Sequence, residues 1–195
     1  MTVMTAVVGS LSVRRRRARL RFASLAGAVE TTGADGAVYG GASGGGTQST
    51  QYGYGSTIVI PSRSDGWFQA RVRVLNPGAG LASAIVGLAT VDTNTSFSAY
   101  AYGLHADQGA PTPYTYRVVT AGALGNTANL AQVVRQDGDV LRLRRNGSSV
   151  IAEVSRGGDQ AFVPVHVWTA DGGTALFPRF AIGAQDTQVQ APAAD

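Results

Sequence analysis

The sequence feature that most constrains the fold is a hairpin signature in residues 135–155, which read RQDGDVLRLRRNGSSVIAEVS. Two short apolar runs flank Asn146–Gly147, and Asn-Gly favours a two-residue hairpin turn because both positions accept positive φ. In the first run Leu141 and Leu143 alternate with Arg142, so one face is apolar and the other is partly polar. The segment therefore predicts two antiparallel strands with Leu141 and Leu143 in a core.

The rest of the chain predicts the same class of structure. The 195 residues include 26 glycines and only 14% charged residues, and apolar stretches are short and bounded by turn residues. No stretch shows a convincing helical period. Besides the hairpin, the predicted strands are 56–60, 67–75, 85–91, 97–104, 114–119, 131–134, 162–168 and 175–182. The segment 67–75 alternates regularly, with Phe68, Ala70, Val72 and Val74 on one face and Gln69, Arg71 and Arg73 on the other. We predict an all-β fold, a two-sheet antiparallel β-sandwich of the jelly-roll type, with an extended N-terminal arm.

Charge divides the chain into unequal parts. Six of the 16 basic residues lie within residues 14–21, and no acidic residue precedes Glu30. Residues 1–22 are predicted to be a basic arm, 23–185 the sandwich domain and 186–195 a polar tail. The apolar run 22–29 is too short and too interrupted for a signal-peptide core, which favours an uncleaved arm.

Alternation of Arg19 and Arg21 with Leu20 and Phe22 indicates strand periodicity at the end of this arm. The arm is predicted either to anchor the protein to a larger particle or a sister subunit, or to be a solvated tail. Nucleic-acid binding is not predicted, because no basic or aromatic patch elsewhere extends the positive charge. The anchoring candidates are Arg14, Arg15, Arg16, Arg17, Arg19 and Arg21.

Residues suited to catalysis are few. Asp137 and Asp139 alternate with glycine and would share one side of an extended segment, but this pattern is more typical of a turn and a strand start. Only two histidines, His105 and His166, are present, and cysteine is absent. We therefore predict a protein that is not an enzyme and that uses no cofactor and no metal.

Tyrosines supply the best candidates for binding. Sugar sites place aromatic faces against the apolar side of a pyranose, and exposed large aromatics usually contact a partner. The alternatives are cross-strand tyrosine pairs on a solvated sheet, or a subunit interface. The glycan-binding candidates are Tyr100, Tyr102, His105, Tyr114 and Tyr116, predicted to lie on non-core strand faces or just beyond them.

Residues 138–150 (GDVLRLRRNGSSV) match a G-D-hydrophobic hairpin motif, and residues 176–178 (LFP) match a late L-[YF]-P strand motif. In this order the two motifs resemble the concanavalin A-like lectin/glucanase jelly roll, closest to the versions on phage and phage-like particles and bacterial surface proteins, and the resemblance spans about residues 30–185. The paired calcium ligands of legume lectins and the E-x-D-x-E strand of glucanases have no counterpart. The matching residues are Gly138, Asp139, Val140, Leu141, Arg144, Gly147, Val150, Leu176, Phe177 and Pro178.

The resemblance implies a non-enzymatic adsorption component of such a particle, a head spike, fibre or tail appendage, located on the particle surface. Its partners would be particle structural proteins, host surface polysaccharide and further copies of itself. It would bind no nucleic acid and insert into no membrane. The alternatives are a structural decoration or connector protein without glycan binding, and a bacterial glycan hydrolase.

Overall fold

A computed structural model describes residues 18–41, 51–75, 83–92, 97–106, 116–125, 134–183 and 187–195. These residues form fifteen β-strands. No helix among them is long and apolar enough to cross a membrane. The strands are β1 Ala18–Arg19, β2 Phe22–Ala26, β3 Ala28–Gly33, β4 Gly36–Gly41, β5 Tyr52–Ser56, β6 Gly66–Val74, β7 Ala84–Ala89, β8 Tyr102–Ala106, β9 Tyr116–Thr120, β10 Ala123–Leu124, β11 Val140–Asn146, β12 Ser149–Ser155, β13 Val163–Thr169, β14 Phe177–Ile182 and β15 Thr187–Ala194.

Two antiparallel sheets enclose one main core, as the sequence predicts. Sheet A has the order β13-β12-β11-β6-β15-β4-β3, with β1 paired to β15, and sheet B has the order β10-β9-β8-β7-β14-β5-β2. Aromatic rings pack against one another at the centre of the core. The centre of the Phe22 ring lies 4.9 Å from that of Phe180 and 5.5 Å from that of Tyr39. The prediction of a two-sheet jelly-roll sandwich is confirmed.

The hairpin forms with a turn one residue later than predicted. Asn146 pairs with Ser149, so the turn residues are Gly147 and Ser148, and of these only Gly147 has a positive φ, of 58°. Glycine at the first central position is typical of the II′ hairpin turn. Leu141 and Leu143 are fully buried, as predicted.

Strand predictions succeed where alternation is regular and fail at irregular positions. In β6, Phe68, Ala70, Val72 and Val74 face the core as expected. The predicted strand at 56–60 is wrong, because β5 ends at Ser56 and only an isolated bridge follows, from Ile60 to Leu176. The strand predicted at 97–104 is likewise wrong at its start, where Phe97–Ala99 forms a short 3-10 helix.

The end of the predicted arm belongs to the sandwich. β1 pairs with β15 in sheet A, and β2 pairs with β5 in sheet B, so the chain crosses between the sheets at Leu20 and Arg21. Leu20 and Phe22 are buried in the core, while Arg21 is exposed. The predicted arm boundary at residue 22 is therefore too late, because these apolar side chains complete the core. Residues 1–17 lie outside the described residues.

The predicted polar tail is wrong for most of its length. Residues 187–194 form β15, which lies between β6 and β4 in the interior of sheet A. Beyond it, the backbone N–H of Asp195 donates to the Trp67 carbonyl at 3.0 Å and its carbonyl accepts from the Trp67 N–H at 3.0 Å. Pairing on both sides outweighs the weak strand propensity of this Ala, Gln and Pro segment.

Candidate binding groove

The tyrosine candidates do not share one exposed surface. Tyr102 and Tyr116 face the core between the sheets, whereas Tyr100 and His105 lie on the outer side of sheet B and are also buried. Among the candidates that the structure describes, only Tyr102 is partly exposed, and its ring packs 5.6 Å from that of Trp168. The prediction of non-core positions is therefore wrong for Tyr102 and Tyr116, and the prediction of exposure is wrong for Tyr100, His105 and Tyr116. Tyr100 and Tyr102 point to opposite sides of sheet B because the 3-10 turn before Tyr100 breaks the period of two. Tyr114 lies outside the described residues.

Tyr100 packs into a trough on the outer side of sheet B. Gly87 and Gly103 pair across neighbouring strands and leave this trough without side chains. A Cβ placed on Gly87 would lie 2.4 Å from the Tyr100 ring, so the ring occupies the space that a side chain would take. The buried guanidinium of Arg179 lies 4.8 Å from the ring centre, a cation–π contact. Burial raises the pKa of Tyr100 far above its usual value, despite the Arg179 charge.

The two aspartates of the hairpin have separate partners. The fully buried Asp139 accepts hydrogen bonds from the Tyr116 hydroxyl at 2.6 Å and from Arg156 at 2.5 Å. Burial, and then the Asp139 charge, raise the pKa of Tyr116. Asp137 instead binds the Arg73 guanidinium at 2.9 Å. Asp139 therefore joins β9 to the start of β11 across the core, and the two carboxylates do not form an open pair.

The structure contains a polar groove of about 470 Å³ on the outer face of sheet A. Its floor comes from β6 and β15, one wall from the β3–β4 hairpin and the chain near Leu20, and the other wall from the segment after β12. The alternation that buries Phe68, Ala70 and Val72 places Gln69 and Arg71 on this outer face. The residues that line it include Gln69, Arg71, Phe162, Gln190, Arg21 and Asp35.

Arg142 fixes one side of the groove. It pairs with Gln69 across the strands and donates two hydrogen bonds to Gln69 Oε1, at 3.0 and 2.6 Å. Its guanidinium lies 3.4 Å from the ring centre of Phe162 and 5.0 Å from that of Trp67. This stack orients Phe162 and Gln69, and the Nε2 of Gln69 has no hydrogen-bond partner among the described residues.

The other side of the floor presents a guanidinium and an amide oxygen. Arg71 and Gln190 pair across β6 and β15, and both side chains are half-buried. Gln190 donates from Nε2 to Gln188 Oε1 at 2.7 Å, so its own Oε1 remains available as an acceptor. Within the part of the chain that the structure describes, no hydrogen bond or ion pair involves Arg71. Donors and an acceptor therefore face one space beside an aromatic ring.

Charged residues of opposite sign form the rim. Arg21 is exposed and lies 3.8 Å from Glu30, and Asp35 is exposed in the turn of the β3–β4 hairpin. Arg21 is thus the one anchoring candidate whose side chain is described, and it borders the groove. Arg14–Arg17 lie outside the described residues, and only the backbone of Arg19 is described. Particle anchoring by this set stays a prediction.

The sequence alone predicts the position of only some of the groove residues. Alternation in WFQARVRV places Gln69 and Arg71 off the core, which is a usable signal. Gln190 gives no such signal, because its segment has the composition of a tail. Among the described residues no group of three or more potential metal-ligating side chains occurs.

Comparison with solved structures shows the fold. Lectin II from Ulex europaeus matches with a TM-score of 0.53 at 8% identity, over 90% of this chain and 92% of that chain. The exoplasmic/lumenal domain of VIP36, in its Ca²⁺/Man3GlcNAc-bound form, matches with 0.52 at 10% identity, over 90% and 84%. A stonustoxin structure matches with 0.54 at 10% identity over 88% of this chain, which spans only 28% of that chain.

The sequence comparisons match no protein-family model and no curated protein. The structural likeness defines the chain as an all-β domain with the concanavalin A-like lectin fold, as its motifs suggested. Identities of this size establish the fold alone.

Proposed function

We propose that this protein is a non-enzymatic carbohydrate-binding module and that the sugar binds in the sheet A groove. The observation that carries the proposal is the set of available polar atoms at Gln69, Arg71 and Gln190, which face one space beside the Phe162 ring. Sugars are bound by converging donors and acceptors next to an aromatic side chain. Two similar folds support the ligand class: VIP36 was solved with Man3GlcNAc and lectin UEA-II with galactose.

The proposed lack of catalysis rests on the hairpin aspartates. Asp139 is fully buried beneath Tyr116 and Arg156, and Asp137 is held by Arg73 and by the Val74 N–H at 2.8 Å. Glycoside hydrolysis needs two carboxyl groups that flank one bond. Carboxylates engaged in this way are unsuited to that task.

The test is a glycan array followed by calorimetry on the full chain, with Gln190→Ala and Gln188→Ala as a matched pair. Both variants break the same Gln190–Gln188 hydrogen bond, but only Gln190 lines the groove. The intact protein is expected to bind at least one glycan. Gln190→Ala should weaken that binding about 3- to 10-fold, as for one lost hydrogen bond, and Gln188→Ala should leave it nearly unchanged.

Two results would contradict the proposal. A folded protein that binds no glycan would remove carbohydrate binding altogether. Equal affinities for the two variants would show that the sugar lies outside the groove.

The finer role that we propose is adsorption from the surface of a phage or phage-like particle, with the basic N-terminal residues as the anchor. Its support is the cluster of six arginines at 14–21 and the family resemblance of the hairpin motif. Replacing Arg14–Arg17 with glutamine should abolish incorporation into particles and leave glycan affinity unchanged. Normal incorporation would contradict the anchor, and a monomeric particle-free protein would favour a free-standing lectin.

A further inference from the structure

Four arginines of β6 and β11 lie on the outer face of sheet A, and three of them have a carboxylate partner. Arg73 has Asp137 at 2.9 Å, Arg144 has Glu153 at 2.8 Å, and Arg142 has Glu153 at 3.8 Å. Arg71 lies on the same face and has no carboxylate partner among the described residues. It is also the arginine of this face that lines the groove floor.

A half-buried guanidinium without a partner has lost part of its hydration and received no compensating charge. Its planar donors match the two oxygens of a carboxylate, with which it forms paired hydrogen bonds. The Nε2 of Gln69 is a further donor on the same strand and the same face, two residues away. The floor is thus richer in donors than in acceptors, since Gln190 Oε1 is its one available side-chain acceptor among these three residues.

We propose that the groove selects acidic glycans and that Arg71 binds the sugar carboxylate, as in a uronic acid or a sialic acid. This inference rests on the proposed carbohydrate-binding function and adds the ligand class. Gln69 Nε2 contributes a second donor to the carboxylate or a neighbouring hydroxyl, and Gln190 Oε1 accepts from a sugar hydroxyl. The carboxylate takes the place of the partner that the described part of the chain does not provide.

The experiment compares sugar pairs that differ only in the acidic group: α-1,4-linked trigalacturonate with α-1,4-linked galactotriose, and sialyllactose with the methyl ester of the same trisaccharide. Calorimetry is performed on the full chain and on Arg71→Gln and Arg73→Gln. These variants remove the same charge from the same strand and face, but only Arg71 lines the groove. At least one acidic sugar is expected to bind about 10-fold or more tightly than its neutral partner.

Arg71→Gln should abolish that preference, and Arg73→Gln should retain it. Equal affinities within each pair, or a preference that survives Arg71→Gln, would overturn the inference. An equal loss in both variants would also overturn it, because overall charge would then be the cause. Binding of neutral glycans alone would leave the carbohydrate function standing and remove acid selection, whereas absence of binding to any glycan would remove both.

Discussion

The outer faces of the two sheets differ in what covers them. On sheet B, Gly87 and Gly103 leave a trough that the Tyr100 ring fills, and Ile85 and Ala181 join it in a second apolar cluster. On sheet A, the long polar side chains of Gln69, Arg71 and Gln190 occupy the outer positions of the two central strands β6 and β15. They cannot hold an apolar layer, and a groove remains.

Alternation alone does not distinguish these two outcomes. The period of two identifies the residues whose side chains point away from the core. The size of their cross-strand neighbours then decides whether another layer can pack on that outer face. Small neighbours admit a ring and close the face. Arginine and glutamine neighbours bind one another instead, as Arg142 and Gln69 do, and keep the face hydrated.

The largest effect is expected from removing the segment that pairs with both sheets, which begins with β1 and continues into β2. Deleting residues 1–22 should lower the free energy of unfolding by more than about 5 kcal/mol relative to deleting residues 1–17, because Leu20 and Phe22 leave the core. That loss approaches the whole stability of a typical domain. Denaturant unfolding of both truncations measures it, with Leu20→Ala and Phe22→Ala in the full chain as controls. Equal stabilities would show that the sandwich begins after residue 22.

The second-largest effect is expected from alkaline pH, which should lower the free energy of unfolding because it ionises tyrosines that are buried in the folded protein. Burial raises the pKa of Tyr39 to about 12, and it also raises those of Tyr100 and Tyr116. Unfolded tyrosine loses its proton near pH 10, so stability is full below about pH 10 and falls above it by about 1.4 kcal/mol per pH unit per tyrosine.

Denaturant unfolding between neutral pH and about pH 11, with tyrosinate absorbance, measures this loss. Tyr100→Phe should reduce the slope by one tyrosine's share, since it removes the buried Tyr100 hydroxyl on the outer side of sheet B. An unchanged slope in Tyr100→Phe would contradict the burial of that hydroxyl.

A pair of glycine substitutions sharpens the comparison of the faces directly. Gly87→Ala should cost about 1–3 kcal/mol, because its Cβ would lie 2.4 Å from the Tyr100 ring and 2.8 Å from the Tyr102 carbonyl oxygen. Gly40→Ala, on sheet A, would meet only Gln188 Cγ at 4.0 Å and should be neutral or stabilise by up to about 1 kcal/mol. Thermal unfolding of the two variants measures the contrast. Similar melting temperatures would mean that the sheet B face is as open as that of sheet A.

The smallest effect is expected at the groove itself. Arg71→Gln should change the free energy of unfolding by less than about 0.5 kcal/mol, since no ion pair of a described residue is lost. Arg73→Gln should cost up to about 1 kcal/mol, because it breaks the exposed pair with Asp137. Chemical denaturation resolves the order of the two. A larger loss at Arg71 would assign it a structural role and weaken its role as a ligand contact.

Sequence reasoning reached the parts of the fold in which local pattern and tertiary environment agree. The regular alternation of β6 and β11 predicted both their strands and their buried faces, and Asn146–Gly147 located the turn within one residue. The outer-face position of Arg71 followed from the same pattern.

Two features depended on distant pairing and had no local signal. β15 has weak strand propensity and becomes a strand because β6 and β4 flank it. The burial of Tyr100 depends on Gly87 and Gly103 in other strands, and a glycine pattern gives no partner from sequence alone. The groove depends on the same kind of distant pairing, since Gln190 lies beside Arg71 only because β15 pairs with β6.

The interior position of β15 also sets the order of events during folding. β6 and β15 are separated by more than half of the chain, so sheet A cannot close until the intervening strands have been synthesised. Until then β4 and β6 each present an unpaired edge, and open edges recruit strands from other molecules. Long-range pairing of this kind also slows folding. We therefore expect the nascent chain to depend on chaperone protection, and the yield of soluble protein to be set by how quickly β15 inserts.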